Sequence, residues 1–291
     1  MKQRVNKIYT TIKITSACVY CFCLHFSALA QDKKIKRSEV LSNFVFKSNH
    51  IRVEGSSFST FKARIKNETG AQKVSSSGTP GISISFKYSI NFNNTLSLLT
   101  GVEAIISGRN FITSIKKDDF TPPLLSDFNV KGLNSYYPDL ILSVPVLLEK
   151  RKLYSKTKFI FFSGGIRINV STGADFEGLS LLVTRADGSF YDAGGYDLYA
   201  NNDKKPWLSI PLNAGHAWLL KNNNLVQLSI CSNISFTKYV NGTYSIEIPG
   251  RPATTGLYST TGSFIGLSLN YVFTNANYRI RKAYEKMNGI K

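Results

Sequence analysis

The sequence predicts an all-β protein, namely an eight-stranded antiparallel up-and-down transmembrane β-barrel. Three observations indicate this fold class. Apolar residues recur at every second position in eight segments, the connections between these segments alternate between long and short, and the opposite faces carry small polar residues. Period-two alternation is typical of a strand with one apolar face. Alternating loop lengths are typical of membrane barrels, which have short turns on one side and longer loops on the other.

The predicted strands cover most of the chain. The first runs from Ile51 to Ile65 and has the weakest alternation. The second is the clearest, with apolar residues at every even position from Ile82 to Phe92. After Asn93-Asn94-Thr95 the chain returns through the third strand, so we expect Phe92 to pair with Leu96 and Ile82 with Ile106. The other five are predicted at 140–148, 160–170, 208–218, 226–236 and 265–273. Most segments have the roughly ten residues that a tilted strand needs to cross a bilayer.

The predicted connections separate into two length classes. In chain order they are residues 66–80, 93–95, 108–135, 150–157, 171–206, 221–224 and 240–262. The faces opposite the apolar residues are rich in Ser, Gly and Asn, as at Ser143, Gly165 and Asn233. Small polar side chains suit the narrow interior of an eight-stranded barrel, so we expect the apolar face to contact lipid.

Four stretches of the chain resemble a known family. They are DLILSVPVLLEKRK (139–152), KFIFFSGGIRINV (158–170), WLSIPLNAGHAWLL (207–220) and GSFIGLSLNYVF (262–273). Together they resemble the small outer-membrane β-barrel proteins of Gram-negative bacteria, the PorT-like group. The resemblance implies a bacterial outer-membrane location, and an even number of strands then predicts that both termini are periplasmic. It also implies outer-membrane lipids as partners, and the outer-membrane assembly machinery, which would act through the closing strand. Such barrels usually end on that strand, whereas eighteen residues follow Phe273 here.

The chain is expected to have four parts. Residues 1–30 read as a signal peptide, because a basic leader and a short apolar run precede Ala28-Leu29-Ala30. A basic periplasmic segment is expected at 31–45, the barrel at 46–273 and a basic periplasmic tail at 274–291. The formal net charge is +18, and the leader contributes four of these charges, which leaves +14. Anionic lipids are a more natural partner than nucleic acid for an exported protein of this charge.

The sequence carries no motif for catalysis. No Ser/His/Asp arrangement and no Cys/His cluster can be assembled after the leader, so we predict neither an enzyme nor a cofactor or metal. His216 falls in the lipid-facing register near Trp218. It can be interpreted as an interfacial residue of an aromatic belt or as a catalytic base at the membrane rim.

Three charged residues lie near the middle of predicted strands on the polar face, Lys87, Glu103 and Arg167. Two interpretations are open. They could select a permeant ion, or they could pair inside a filled barrel, because an unpaired charge is costly in a medium of low dielectric constant.

The connection 171–206 is the best candidate for recognising an extracellular ligand, because it is long, acidic and aromatic. The candidate residues are Asp175, Glu177, Asp187, Tyr191, Asp192, Tyr196 and Asp197. The alternative is a solvated loop with ordinary turn chemistry.

Basic residues gather at the predicted periplasmic rim. The candidates for contact with lipid head groups are Arg151, Lys152, Arg279, Arg281 and Lys282. Anionic phospholipids would attract them by about 1 kcal/mol per residue, or the basic segments could simply be solvated. The stretch NYRIRKAYEKM, residues 277–287, could form a short helix on that surface.

The predicted function is that of a bacterial outer-membrane barrel with a structural, adhesive or ligand-recognising role through long extracellular loops. Two alternatives from the same fold are a narrow porin and a secretion-associated barrel. An alternative from another class is a soluble periplasmic barrel that binds a small apolar ligand, as lipocalins do.

Overall fold

The computed structural model describes residues 40–70, 72–130, 136–172, 176–200 and 205–287. In this part of the chain sixteen strands, β1 to β16 in chain order, form one closed barrel and two smaller sheets. The barrel strands are β1 His50–Thr60, β4 Pro80–Asn91, β5 Leu96–Asn110, β8 Tyr136–Ser155, β9 Lys158–Ser171, β12 Trp207–Leu219, β13 Leu225–Ile234 and β16 Phe264–Phe273. Each pairs antiparallel with the barrel strands before and after it, and β1 pairs with β16. The predicted eight-stranded up-and-down barrel is therefore confirmed.

The predicted hairpin between the second and third barrel strands has the expected register. Ile82 pairs with Ile106, and the backbone amide of Phe92 donates to the carbonyl oxygen of Leu96. The turn is local in origin, because the Asn93 side-chain oxygen accepts hydrogen bonds from the backbone amides of Thr95 and Leu96, both at 2.8 Å. Such Asx interactions are the reason that asparagine favours tight turns.

The two faces of the barrel wall carry the side chains predicted for them. Large apolar side chains point outward and are exposed along every strand, for example Ile84, Val102, Leu142, Ile166, Ile230 and Leu267. Most serine and asparagine side chains of the barrel strands, together with their carboxylates and arginines, point inward and are buried. The first strand departs from the prediction, because β1 ends at Thr60 and Phe58 points inward, where its ring stacks on Phe264 at 4.0 Å.

The strands are joined by short turns at one end of the barrel and by long connections at the other. The turns are residues 92–95, 156–157 and 220–224, and we call this the turn end. The long connections, 61–79, 111–135, 172–206 and 235–263, leave the opposite loop end. The predicted turn at 150–157 is wrong in its bounds, since β8 continues to Ser155. The β8–β9 hairpin consequently extends beyond its neighbour β5, whose first residue Leu96 pairs with Lys150.

The described residues of the long connections fold into an outer subdomain. Its larger sheet has the order β10 Phe176–Thr184, β11 Phe190–Ala200, β14 Val240–Ile246, β15 Thr254–Thr260 and β2 Arg64–Asn67, and the smaller one contains β3 Val74–Ser75, β6 Ile112–Ile115 and β7 Phe128–Val130. A shared apolar core joins these sheets to the loop end of the barrel, with Phe111, Ile115 and Leu198 fully or almost fully buried. The alternative of a solvated loop with ordinary turn chemistry at 171–206 therefore fits the exposed turn at residues 186–189 but not the strands β10 and β11.

The turn end is covered by the two segments that flank the barrel in sequence. A π-helical turn, Leu41–Val45, precedes β1, and one α-helix, α1 Ala276–Met287, follows β16. The predicted helix at 277–287 is thus confirmed. Leu41, Val45 and Phe46 are fully buried in a second core, which also includes Phe159. Residues 1–39, which hold the predicted signal peptide and most of the basic segment, lie outside the described residues. None of the described helices has the length and apolar content to cross a membrane.

Candidate functional site

An ion pair occupies the interior near the turn end. Arg52 donates through Nη1 to Oε2 of Glu149 at 2.6 Å and through Nη2 to Oε1 at 2.9 Å, and both side chains are buried. The same guanidinium also donates to Gln227 Oε1 at 3.3 Å and Ser89 Oγ at 3.2 Å. A bidentate pair with further hydrogen bonds to neighbouring side chains is the arrangement that compensates best for the loss of water around two charges.

The middle of the barrel holds the three predicted interior charges. Lys87 contacts Glu54 at 2.5 Å, and Arg167 contacts Glu103 at 2.8 Å, with the Ser83 hydroxyl donating to Glu103 at 2.9 Å. The structure thus places all three predicted residues inside and gives each an opposite charge. The partner of Lys87 lies on β1, whose weak alternation concealed the inward positions of Arg52 and Glu54.

The loop end of the interior is closed by a further ion pair and by aromatic rings. Arg109 lies 3.3 Å from Asp139, and the buried Tyr239 hydroxyl donates to the same carboxylate at 3.4 Å. The Tyr239 ring stacks on Trp207 at 5.5 Å. Beside them a cavity of about 10 Å³ is lined by Ser107 and other residues, which is room for about one water molecule.

The turn end is closed by the segment that precedes β1. The Phe46 ring lies under the Arg151 guanidinium at 4.4 Å and packs edge-on against Phe159 at 5.2 Å. Arg151 is buried and donates to Asn91 Oδ1 at 2.9 Å. The expectation that Arg151 contacts lipid head groups is therefore wrong. Since β8 continues through Arg151 in the register of Glu149, this side chain points inward.

These layers determine what the interior can do. In the described part of the chain, ion pairs fill the centre and apolar groups close both ends. A filled interior favours pairing over ion selection as the role of the central charges. The charged, filled interior also disagrees with a lipocalin-like barrel, whose interior would contain an apolar cavity.

The predicted recognition residues are divided between the surface and the core of the outer subdomain. Asp187 lies at the tip of the β10–β11 hairpin, where hydrogen bonds from the Ser189 hydroxyl and backbone amide lower the pKa of its carboxyl group. Tyr191 packs edge-on against Phe120 at 5.3 Å. Tyr196 is buried and stacks on Phe111 at 4.8 Å, so its role as a surface recognition residue is wrong.

Two of the remaining acidic candidates line an open cleft on the larger outer sheet. The cleft has a volume of about 410 Å³ and includes Asp192 and Asp197, with Glu68 on the same lining. The strand register places Ser180, Gly195, Ser245 and Thr255 in one row across four strands. Asp175 and the side chain of Glu177 lie outside the described residues.

The other head-group candidates have different surroundings. Lys152 is exposed on the outer wall of the barrel. On α1, Arg279 donates to the Lys47 carbonyl at 2.8 Å, Arg281 pairs with Glu285 at 2.8 Å, and the Lys282 ammonium lies 5.3 Å from the Tyr278 ring centroid. All three of these α1 cations are exposed, and each has a contact within the protein.

Comparisons with known proteins give structural neighbours alone. No protein-family model matches the chain, and no curated protein matches it. The PorT-like resemblance therefore stays a prediction. Among solved structures, the chain is similar to the outer membrane protein OprG from Pseudomonas aeruginosa, with 12% identity and a TM-score of 0.40 over 80% of this chain and 98% of that one. It is also similar to Ail, the attachment invasion locus protein of Yersinia pestis, solved in complex with the heparin analogue sucrose octasulfate. There the identity is 10% and the TM-score 0.25, over 77% of this chain and 99% of that one. The eight-stranded closure follows from the chain's own strand order, independently of these neighbours.

Proposed function

We propose that this protein is a bacterial outer-membrane β-barrel that holds a folded outer subdomain at the cell surface for a structural, adhesive or ligand-recognising role. The observation that carries the proposal is that the two faces of the barrel wall are reversed relative to those of a soluble barrel. In the eight barrel strands, as far as they are described, all carboxylates point inward, while large apolar side chains cover the outside. Soluble monomers rarely expose apolar patches larger than a few hundred square ångströms.

The internal packing supports a presenting role over transport. A narrow porin needs a hydrated path, whereas the interior here contains four carboxylates and five cations packed between two apolar layers. The outer subdomain is folded on the apolar core that it shares with the loop end of the barrel, and it carries an open polar cleft, which are the features expected of a presented surface. No side chain is assigned a catalytic role in this proposal. The closing strand β16 ends on Phe273, and we propose that the outer-membrane assembly machinery recognises it.

The proposal is tested by fractionation and by two inserted epitopes. The protein should be insoluble in sarkosyl and should migrate differently on a gel with and without heating, as folded membrane barrels do. An epitope inserted at Asp187, in the exposed hairpin tip, should bind antibody on intact cells. An epitope inserted in the turn of Lys156 and Thr157 should bind antibody only after the cells have been permeabilised. A sarkosyl-soluble protein would contradict the membrane assignment, and the opposite epitope pattern would invert the topology.

Replacing Val144 by arginine should impair assembly of the barrel. Val144 is exposed at the centre of the outward apolar run from Leu140 to Leu148 on β8. A cation on the lipid face costs roughly 2–4 kcal/mol at the bilayer midplane and about 0–1 kcal/mol near the interface. We therefore expect a large loss of heat-modifiable protein for Val144→Arg. The loss for Leu148→Arg should be small, because Leu148 lies two positions from Lys150 and therefore near the interface. Val144→Leu is the matched control, and equal yields from both arginine variants would contradict a lipid-facing wall.

A further inference from the structure

The charged side chains of the barrel wall are strongly divided between its two faces. Within the described residues of the eight barrel strands, the inward-facing charges are Glu54, Glu103, Asp139 and Glu149 with Arg52, Lys87, Arg109, Arg151 and Arg167. The outward-facing charges of the same strands are Lys150, Lys152 and Lys158. All three are lysines, and all three belong to the β8–β9 hairpin at the turn end.

The strand register brings these lysines together. Lys150 pairs with Phe162 and Lys152 with Ile160. Lys158 lies diagonally from Lys152 across the hairpin, and diagonal neighbours in an antiparallel pair have Cα atoms roughly 7–8 Å apart. Long, flexible side chains at this spacing can direct their ammonium groups to one shared anion.

An aromatic cluster borders the lysines on the adjacent strand. Trp218 pairs with Lys158, and His216 pairs with Ile160, which is also the partner of Lys152. The His216 ring stacks on Trp218 at 6.1 Å and lies edge-on to Tyr154 at 5.9 Å, with Nδ1 of His216 and the Tyr154 hydroxyl 3.4 Å apart. Aromatic side chains of this kind are enriched at the level of lipid head groups.

We propose that this turn-end patch, formed by Lys150, Lys152, Lys158, Tyr154, His216 and Trp218, binds the phosphate of an anionic glycerophospholipid in the leaflet at the turn end. The inference rests on the membrane location proposed above. Within the described barrel strands no outward carboxylate compensates these three like charges, so an anion outside the protein is their favoured partner. Lysine stems can lie along the apolar wall while their ammonium groups reach the head-group level. The patch differs from the predicted tail contacts, because the α1 cations already have partners within the protein.

The test measures lipid selectivity of the full chain. Wild-type protein and the triple variant Lys150→Gln, Lys152→Gln, Lys158→Gln are reconstituted in phosphatidylcholine bilayers that contain a minor fraction of phosphatidylglycerol, and retained lipids are counted by native mass spectrometry. The control variant, Lys62→Gln, Lys73→Gln, Lys116→Gln, removes the same charge from exposed lysines at the loop end. We expect wild type and control to enrich phosphatidylglycerol. In the triple variant this enrichment should fall about fivefold for each lysine replaced, which converts to about 1 kcal/mol per lysine.

The outcomes separate the inference from the proposed function. Unchanged enrichment in the triple variant would overturn the patch as a lipid site, and an equal loss in the control would reduce it to an effect of net charge. Wild type that fails to enter bilayers as a heat-modifiable barrel would instead contradict the proposed function. Should the triple variant fail to assemble, each single variant is measured in the same way. If none of the single substitutions lowers the amount of retained phosphatidylglycerol, the inference is also overturned.

Discussion

Replacing Glu149 by glutamine should destabilise the barrel more than almost any other single substitution of similar size. Glu149 is fully buried, forms both hydrogen bonds to Arg52 and lies 3.8 Å from the Arg151 guanidinium. The amide keeps the shape of the side chain but removes the negative charge, so two buried guanidinium groups lose their counter-ion. Removing one partner of a buried pair typically costs about 3–5 kcal/mol, because the remaining charge is left without compensation.

The measurement is the urea midpoint of unfolding of the barrel in lipid or detergent. The matched control is Glu285→Gln on α1, which removes the same charge from the exposed pair with Arg281 and should cost at most about 0.5 kcal/mol. A second substitution, Arg52→Met in the Glu149→Gln background, should recover part of the loss because it removes one of the orphaned cations. If Glu149→Gln and Glu285→Gln unfold at the same urea concentration, the interior pair does not stabilise the barrel.

The barrel could be predicted because its outward residues obey one simple rule. Large apolar side chains occupy every second position of β4 and β16, and this local pattern can be recognised without help from distant residues. The β4–β5 register could also be predicted, because Asn93 closes a tight turn with its own side chain.

The interior network was partly missed because the predicted strands ended where the apolar residues ended. On β8 the alternation continues beyond Leu148 with Lys150 and Lys152 outward and Glu149 and Arg151 inward. The alternation of inward and outward side chains therefore assigns Arg151 to the interior, once the strand is extended into the hairpin. The partners could not be predicted, since Arg52 and Glu149 are 97 positions apart and are brought together by closure of the barrel.

The outer subdomain could not be predicted because its strands lack a clean period. Strand β11 reads FYDAGGYDLYA, with two adjacent glycines and two carboxylates, and Gly194 has a φ of +99° that side-chain-bearing residues rarely adopt. Its stability comes from non-local packing, as in the stack of Tyr196 on Phe111. A sequence pattern of this kind resembles a polar loop until the tertiary contacts are known.

Replacing Phe111 by alanine should unfold the outer subdomain while the barrel stays assembled. Phe111 lies between β5 and β6, is fully buried, stacks on Tyr196 at 4.8 Å and packs edge-on against Tyr244 at 5.4 Å. Removal of a buried phenylalanine ring typically costs about 3–5 kcal/mol, through lost transfer free energy and the cavity that remains. The barrel wall is stabilised by its own closed hydrogen-bond ladder and interior ion pairs, so the loss should be confined to the long connections.

The contrast is measured by limited trypsin digestion of the assembled protein. We expect Phe111→Ala to be cut rapidly within the outer subdomain, for example after Lys116, Lys117 or Arg185, and to retain a heat-modifiable barrel fragment. The matched control is Phe190→Ala, which removes the same ring from an exposed position in the same subdomain and should change stability by no more than about 0.5 kcal/mol. Equal digestion rates for the two variants would show that the outer strands do not share a cooperative core. Loss of the heat-modifiable band in Phe111→Ala would show instead that the barrel depends on the outer subdomain for its own assembly.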